Sequence, residues 1–126
     1  MRVVITDSDL PAGRELAAAV ERLVPTADVL LYGDAAEALD GVGANRPDVV
    51  FVAPTVGDVT GPDLVGRVSG IANLDATIVG IVETPDADAS TRYVEAGAGV
   101  VVSRPVDDLG VRTALRQRAG GIPGGS

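Results

Sequence analysis

Four consecutive residues, Val49-Val50-Phe51-Val52, are all apolar and β-branched or aromatic. Pro47-Asp48 precede them, and a loop rich in Pro, Gly and Asp that ends at Gly61 follows. No polar residue alternates within the run, so a strand here has no face to offer to water. A strand buried on both faces belongs to a sheet covered on both sides, and that is the habit of parallel sheets packed between helices. Open sheets of this kind place their chemistry at the carboxyl ends of central strands. In this chain that place is Ala53, a methyl group where a reactive side chain is expected.

A chain of 126 residues is long enough for one domain with a single core. Hydrophobic residues make up 46% of it and aromatics only 2%, so the core is aliphatic, as a helix-covered parallel sheet requires. The formal net charge of -8 repels phosphate backbones and anionic lipid, which argues against direct nucleic-acid or membrane binding. All ten basic residues are Arg, and His and Cys are absent. These absences exclude a phosphate-loop lysine, a Schiff-base lysine, a Ser-His triad, a cysteine nucleophile and a His/Cys zinc site. Any metal would need carboxylates, and no cofactor is expected. No apolar run approaches the roughly 20 residues that span a bilayer, and the chain begins directly with a strand, so a cytoplasmic location is expected.

Strands and helices alternate along the chain. Arg2–Thr6 is a β-rich run halted by Asp7-Ser8-Asp9. Residues 12–23 carry Leu16, Ala19, Val20 and Leu23 at helical spacing, with Pro11 near the start and Pro25 beyond the end. A second strand over 27–32 closes at Gly33. Asp34 with Glu37 forms a capping box for a short helix over 35–42, which Gly41 and Gly43 weaken. Gly61-Pro62-Asp63 opens a helix through Ile71, and a fourth strand spans 76–82. A helix starting at Thr84-Pro85-Asp86 turns Tyr93, Val94 and Ala96 to the core and stops at Gly97. The fifth strand covers 100–102, and a last helix runs over 106–119 with acids at its amino end and arginines towards its carboxyl end, matching the helix dipole. Five strands alternating with five helices predict a doubly wound α/β fold with a five-stranded parallel sheet in the flavodoxin-like order 2-1-3-4-5. The domain is expected to span 1–119, with 120–126 as a Gly-rich linker or tail.

With these elements in place, the chain resembles the receiver domain of bacterial response regulators over nearly all of residues 1–119. The resemblance is carried by Val4-Ile5-Thr6-Asp7-Ser8-Asp9, by Arg46-Pro47-Asp48 and the strand to Ala53, by the loop ending at Gly61, by Glu95-Ala96-Gly97-Ala98 and by Arg104-Pro105. Receivers transfer a phosphoryl group from a kinase histidine to their own aspartate, aided by Mg2+. The resemblance implies that Ala53 occupies the phosphoacceptor position. It further implies that Asp7 and Ser8 stand where a metal-holding acidic pair is expected, that Ile81 replaces a phosphate-sensing Ser or Thr, that Arg104 replaces a lysine, and that Val101 replaces a switching aromatic. Arg104-Pro105 is expected to be cis. Lost partners around a kept scaffold point to a pseudo-receiver, a non-enzymatic module that signals without phosphorylation.

Alternatives attach to particular residues. Asp7 and Asp9 are the candidate metal ligands, or else Asp7 pairs with Arg104 across the vacancy. Asp58 is a candidate displaced phosphoacceptor, although a Gly-Asp pair reads more simply as a turn. The emptied pocket around Ala53, Thr55, Ile81 and Val82 could admit a small molecule. Asp86, Asp88 and Glu95 before the fifth strand, Val101 in it, and Arg112, Arg116 and Arg118 after it form a candidate interaction surface. It could serve homodimerisation through the last two helices, or contact with a protein partner or an attached effector domain. Asp88 with Arg92 would be an intrahelical alternative.

Overall fold

The computed structural model describes residues 1–120. Their strands are β1 (Arg2–Thr6), β2 (Asp28–Tyr32), β3 (Val49–Val52), β4 (Thr55–Val56), β5 (Val59–Thr60), β6 (Thr77–Val82) and β7 (Val100–Ser103). The helices are α1 (Leu10–Leu23), α2 (Ala35–Asn45), α3 (Gly61–Ser69), α4 (Ala87–Ala96) and α5 (Asp108–Gly120). Five strands pair in parallel in the order β2-β1-β3-β6-β7, which is the expected 2-1-3-4-5 once the small β4–β5 hairpin is set aside. The tail expected at 120–126 begins inside α5, which reaches Gly120, and its remainder lies outside the described residues.

The sheet separates two cores. On one face Val3, Ile5, Val49, Phe51, Val79 and Ile81 meet Leu16 and Val20 of α1 and Val111 of α5. On the other, Val4, Val50, Val52, Ala53 and Val82 meet Val42 of α2, Leu64 and Val68 of α3 and Tyr93 of α4. Every residue of β3 is buried, as its uninterrupted apolar run requires.

Carboxylates and hydroxyls start the helices by accepting otherwise unpaired backbone N–H groups. Asp9 caps α1, Asp34 caps α2 by accepting from the Glu37 N–H, Thr60 caps α3 and Asp86 caps α4. The cap at Asp9 moves the start of α1 ahead of the expected residue 12. Two residues are placed differently from expectation. Val94 is 58% exposed, because it lies one residue round from the stripe on which Ala89, Tyr93 and Ala96 face the protein. In α2, Gly41 is close-packed rather than a weak point, since a Cβ there would overlap the Tyr32 ring.

Candidate functional site

The carboxyl ends of β1, β3 and β6 converge with the loop that follows β7. Parallel pairing sets Thr6 against Val52, and Val52 against Gly80, so Asp7, Ala53 and Ile81 emerge side by side one residue beyond. Thr6 is buried and its hydroxyl donates to the Phe51 carbonyl at 3.1 Å, fastening β1 to β3 just beneath.

Ala53 is fully buried and contributes only a methyl group. Beside it, Arg104 reaches back from the β7–α5 loop across 97 positions of sequence. Its Nη2 donates to Asp7 Oδ2 at 3.0 Å, and its Nε lies 3.3 Å from Glu83 Oε1. The Asp7 side chain is 3% exposed and that of Arg104 22%, so this ion pair is largely withdrawn from water. Burial alone would lower the Arg104 pKa. Asp7, by hydrogen bond and charge, and then Glu83 outweigh that cost and raise it above the ordinary arginine value. The Arg104-Pro105 peptide is cis.

The neighbouring polar groups are engaged within the chain. Asp7 Oδ1 accepts the Asp9 N–H at 2.9 Å, and Asp9 Oδ1 accepts the Ala12 N–H at 3.2 Å as the α1 cap. Ser8 donates its hydroxyl to the Thr55 carbonyl at 3.3 Å, tying the β1–α1 loop to the hairpin. Ser8 is thereby brought to the site as a loop fastener. A hard divalent cation takes about six or more oxygens. Asp7 and Asp9 offer two carboxylates that already serve Arg104 and backbone N–H groups, and among the described residues no group of three or more acidic side chains is placed to hold an ion. The residues present do not fit a Mg2+ site of the receiver kind.

Ile81 and Val82 point to opposite faces. Ile81 packs with the α1–α5 core, whereas Val82 shares the core of Ala53 and Tyr93. Both are aliphatic, so neither offers a hydroxyl to this end of β6. Asp58 is exposed at the tip of the β4–β5 hairpin. Gly57 precedes it with φ +64°, the first position of a two-residue turn in which glycine is favoured. Asp58 faces a separate cleft with Asp34, Leu39 and Arg67.

Two clefts flank the Ala53 position. One, of about 410 Å³, lies over Asp7, Asp9, Glu15, Ile81, Glu83 and Arg104. The other, of about 380 Å³, runs between the α3 and α4 starts and is floored by Ile81, Val82 and Tyr93. Ala53 and Thr55 line neither.

Tyr93 is the site residue that sequence reading placed only as core. Its hydroxyl donates to the Ile81 carbonyl at 2.7 Å and lies 3.2 Å from the Ala53 carbonyl oxygen. Burial pushes its pKa well above the usual phenol value. The available signal was its rarity, since the chain has two tyrosines and one phenylalanine.

On the candidate interaction surface Asp86, Asp88, Glu95, Arg112 and Arg116 are exposed, and Val101 is half-buried in the edge strand β7. Arg112 and Arg116 make no ion pair among the described residues. Arg118 turns instead to Asp48 and Asp75 of its own chain, at 3.5 and 3.3 Å, and leaves this surface. No Asp88–Arg92 ion pair forms among the described residues.

No protein-family model matches the chain, and no curated protein matches it. Solved structures do. One is the signal receiver domain of a DNA-binding response regulator from Colwellia psychrerythraea 34H, 20% identical, with a TM-score of 0.83 over 93% of this chain and 96% of that one. A second is the signal receiver domain of NarL from Mycobacterium tuberculosis, 19% identical, with a TM-score of 0.81 over 96% and 97%. A third, from Burkholderia pseudomallei, is a response regulator with a phosphorylated aspartic acid, a calcium ion and citrate; it is 21% identical, with a TM-score of 0.80 over 90% of this chain and 65% of that one. At these identities the likeness concerns the fold, and the chain has the receiver fold of response regulators.

Proposed function

We propose that this chain is a pseudo-receiver, a non-enzymatic module that signals or recruits through protein contacts without an aspartyl phosphate. The observation that carries the reading is the pairing of Asp7 with Arg104 beside a buried Ala53. Phosphoryl transfer to a receiver needs a carboxylate nucleophile and a metal to neutralise the moving charge. A methyl group cannot be the nucleophile, and the carboxylate that would hold the metal already binds a guanidinium. The ion pair stands where a phosphate-dependent contact would form, and it needs no phosphate. NMR spectra with Mg2+ and beryllofluoride, an acyl-phosphate mimic, test this. The Asp7, Ala53 and Arg104 amides are expected to stay in place, and a saturable shift at all three would overturn the reading.

Its readout is a protein surface, either a partner or attached effector domain or a second copy of the chain, working in the cytoplasm. For the second copy, exposed Arg112 and Arg116 of one subunit meet Asp88 and Glu95 of the other about a two-fold axis. Sedimentation velocity at low and high salt checks this, because an exposed arginine–carboxylate interface loosens as salt rises. A species whose mass is that of one chain at both salts, at every concentration tried, would remove the dimer.

A second reading, a small-molecule sensor, is favoured by the apolar cleft over Ile81, Val82 and Tyr93. It shifts the ligand site from Ala53 itself to the neighbouring α3–α4 side. Thermal-shift screening of the chain against Val82→Glu, which places a charge in the cleft floor, separates a ligand held there from adventitious binding.

A further inference from the structure

We infer that Tyr93 is a fixed strut that sets the position of α4 against the carboxyl ends of β3 and β6, so that the fold, rather than any event at the Asp7–Arg104 site, decides where α4 sits. This deepens the pseudo-receiver reading and rests on it. The side chain leaves the carboxyl-terminal half of α4 and runs inward to the carboxyl ends of β6 and β3. Its ring fills space that two distant glycines leave open. A Cβ on Gly80, within β6, would come to 2.5 Å from Tyr93 Cγ, and a Cβ on Gly61, at the start of α3, would overlap the Tyr93 hydroxyl. The hydroxyl then ends among three backbone carbonyls, with Ile81 O at 2.7 Å, Ala53 O at 3.2 Å and Val52 O at 3.4 Å.

A phenol has one hydrogen to give, and the shortest contact assigns it to Ile81. The other two carbonyl oxygens lie at 3.2 and 3.4 Å from the phenol oxygen, and their partial negative charge opposes its ionisation. The raised pKa agrees with a phenol that stays protonated. One side chain therefore joins three segments: the helix, the end of β6, and the end of β3 at the very residue that occupies the phosphoacceptor position. Because the ring fills the space left by Gly80 in β6 and by Gly61 at the start of α3, and its hydroxyl is bonded to Ile81, α4 cannot slide without breaking the bond and emptying those gaps. Ser69 adds a second contact there, its one hydroxyl hydrogen shared between the Gly66 carbonyl of its own helix and the Ala96 carbonyl at the carboxyl end of α4, both at 3.0 Å.

Amide hydrogen exchange of the whole chain tests the strut. Tyr93→Phe keeps the ring and deletes the bond. Protection of the α4 amides is expected to fall roughly tenfold, the effect of one net hydrogen bond, while α1 amides change far less. Unchanged α4 protection, or a loss no larger than in α1, overturns the strut. The wild type gives a check that does not depend on the variant folding: α4 amides and the Ala53 and Val82 amides are expected to open together with matching protection. An α4 that opens far more often than the ends of β3 and β6 overturns it as well. A parallel wild-type sample with Mg2+ and beryllofluoride separates the two ideas. A changed α4 there overturns the pseudo-receiver reading, and with it the claim that the fold alone sets α4. An unchanged α4 in Tyr93→Phe overturns the strut by itself.

Discussion

Replacing Arg104 by Ala strips a nearly buried carboxylate of its counter-ion. Removing one partner of a buried pair costs about 3–5 kcal/mol, against about 0–1 kcal/mol for an exposed pair. The Asp7 side chain is 3% exposed and that of Arg104 22%, and after the substitution Asp7 keeps the Asp9 N–H at 2.9 Å. The expected loss is therefore about 2–4 kcal/mol, below the fully buried limit because one hydrogen bond survives and water can reach part of the gap. The converse substitution, Asp7→Ala, also removes the acceptor of the Asp9 N–H but leaves a guanidinium that still has Glu83 and some solvent, so about 1–2 kcal/mol is expected. Glu83→Ala costs under about 0.5 kcal/mol, since that carboxylate is 69% exposed and its pair is solvent-screened. The double variant Asp7→Ala with Arg104→Ala is expected to lose less than the two singles summed, by about 1–3 kcal/mol of coupling. Because Arg104 titrates above its ordinary value, its contribution is fully present below that value and does not fade through the neutral and moderately alkaline range. Urea unfolding measures all four variants, with midpoints shifting at constant slope. An Arg104→Ala midpoint indistinguishable from wild type, or a larger loss from Asp7→Ala than from Arg104→Ala, would refute the reasoning.

Two glycines two residues apart in α2 are expected to respond in opposite directions. Gly41→Ala forces a Cβ into the Tyr32 ring, and overpacking of about 1–3 kcal/mol outweighs the roughly 1 kcal/mol gained in helix propensity, so thermal unfolding moves to lower temperature. Gly43→Ala meets nothing within 4 Å and keeps its propensity gain, about 0.5–1 kcal/mol, so unfolding moves higher. Tyr93 supplies a pH test. Its folded pKa is raised by burial above the unfolded value of 10.0, so its contribution is present below pH 10.0 and is lost as pH rises further, with a slope of up to about 1.4 kcal/mol per pH unit. The difference between wild type and Tyr93→Phe in urea unfolding, measured on both sides of that pH, isolates the slope, and two parallel profiles would remove it.

The fold was legible where local chemistry and tertiary context agree. The Val49–Val52 strand ends at the residue its apolar run implies, and Asp34 caps α2 as its spacing with Glu37 implies. The β4–β5 hairpin escaped notice because strands of two residues are too short to show alternation, and only Gly57-Asp58 marked the turn. Val94 and Tyr93 are adjacent and both bulky, so hydrophobicity alone could not say which faces inward. Gly80 and Gly61 decide it, because they leave room for one ring, and neither is local to α4. Asp9, a candidate metal ligand by sequence, is instead the cap of α1, and only the folded position of the Ala12 N–H at 3.2 Å reveals it. The arginines of α5 share one composition, yet Arg118 finds Asp48 and Asp75 on distant segments while Arg112 and Arg116 stay exposed. Pairings of that range depend on the folded geometry.

The proposal that this chain carries no phosphoryl chemistry is tested most directly by intact mass spectrometry after incubation with acetyl phosphate and Mg2+. The expected spectrum is that of the unmodified chain, since Ala53 has no nucleophilic oxygen and Asp7 is held by Arg104. A product carrying one phosphoryl group per chain, at Asp58 or at any other residue, would contradict it.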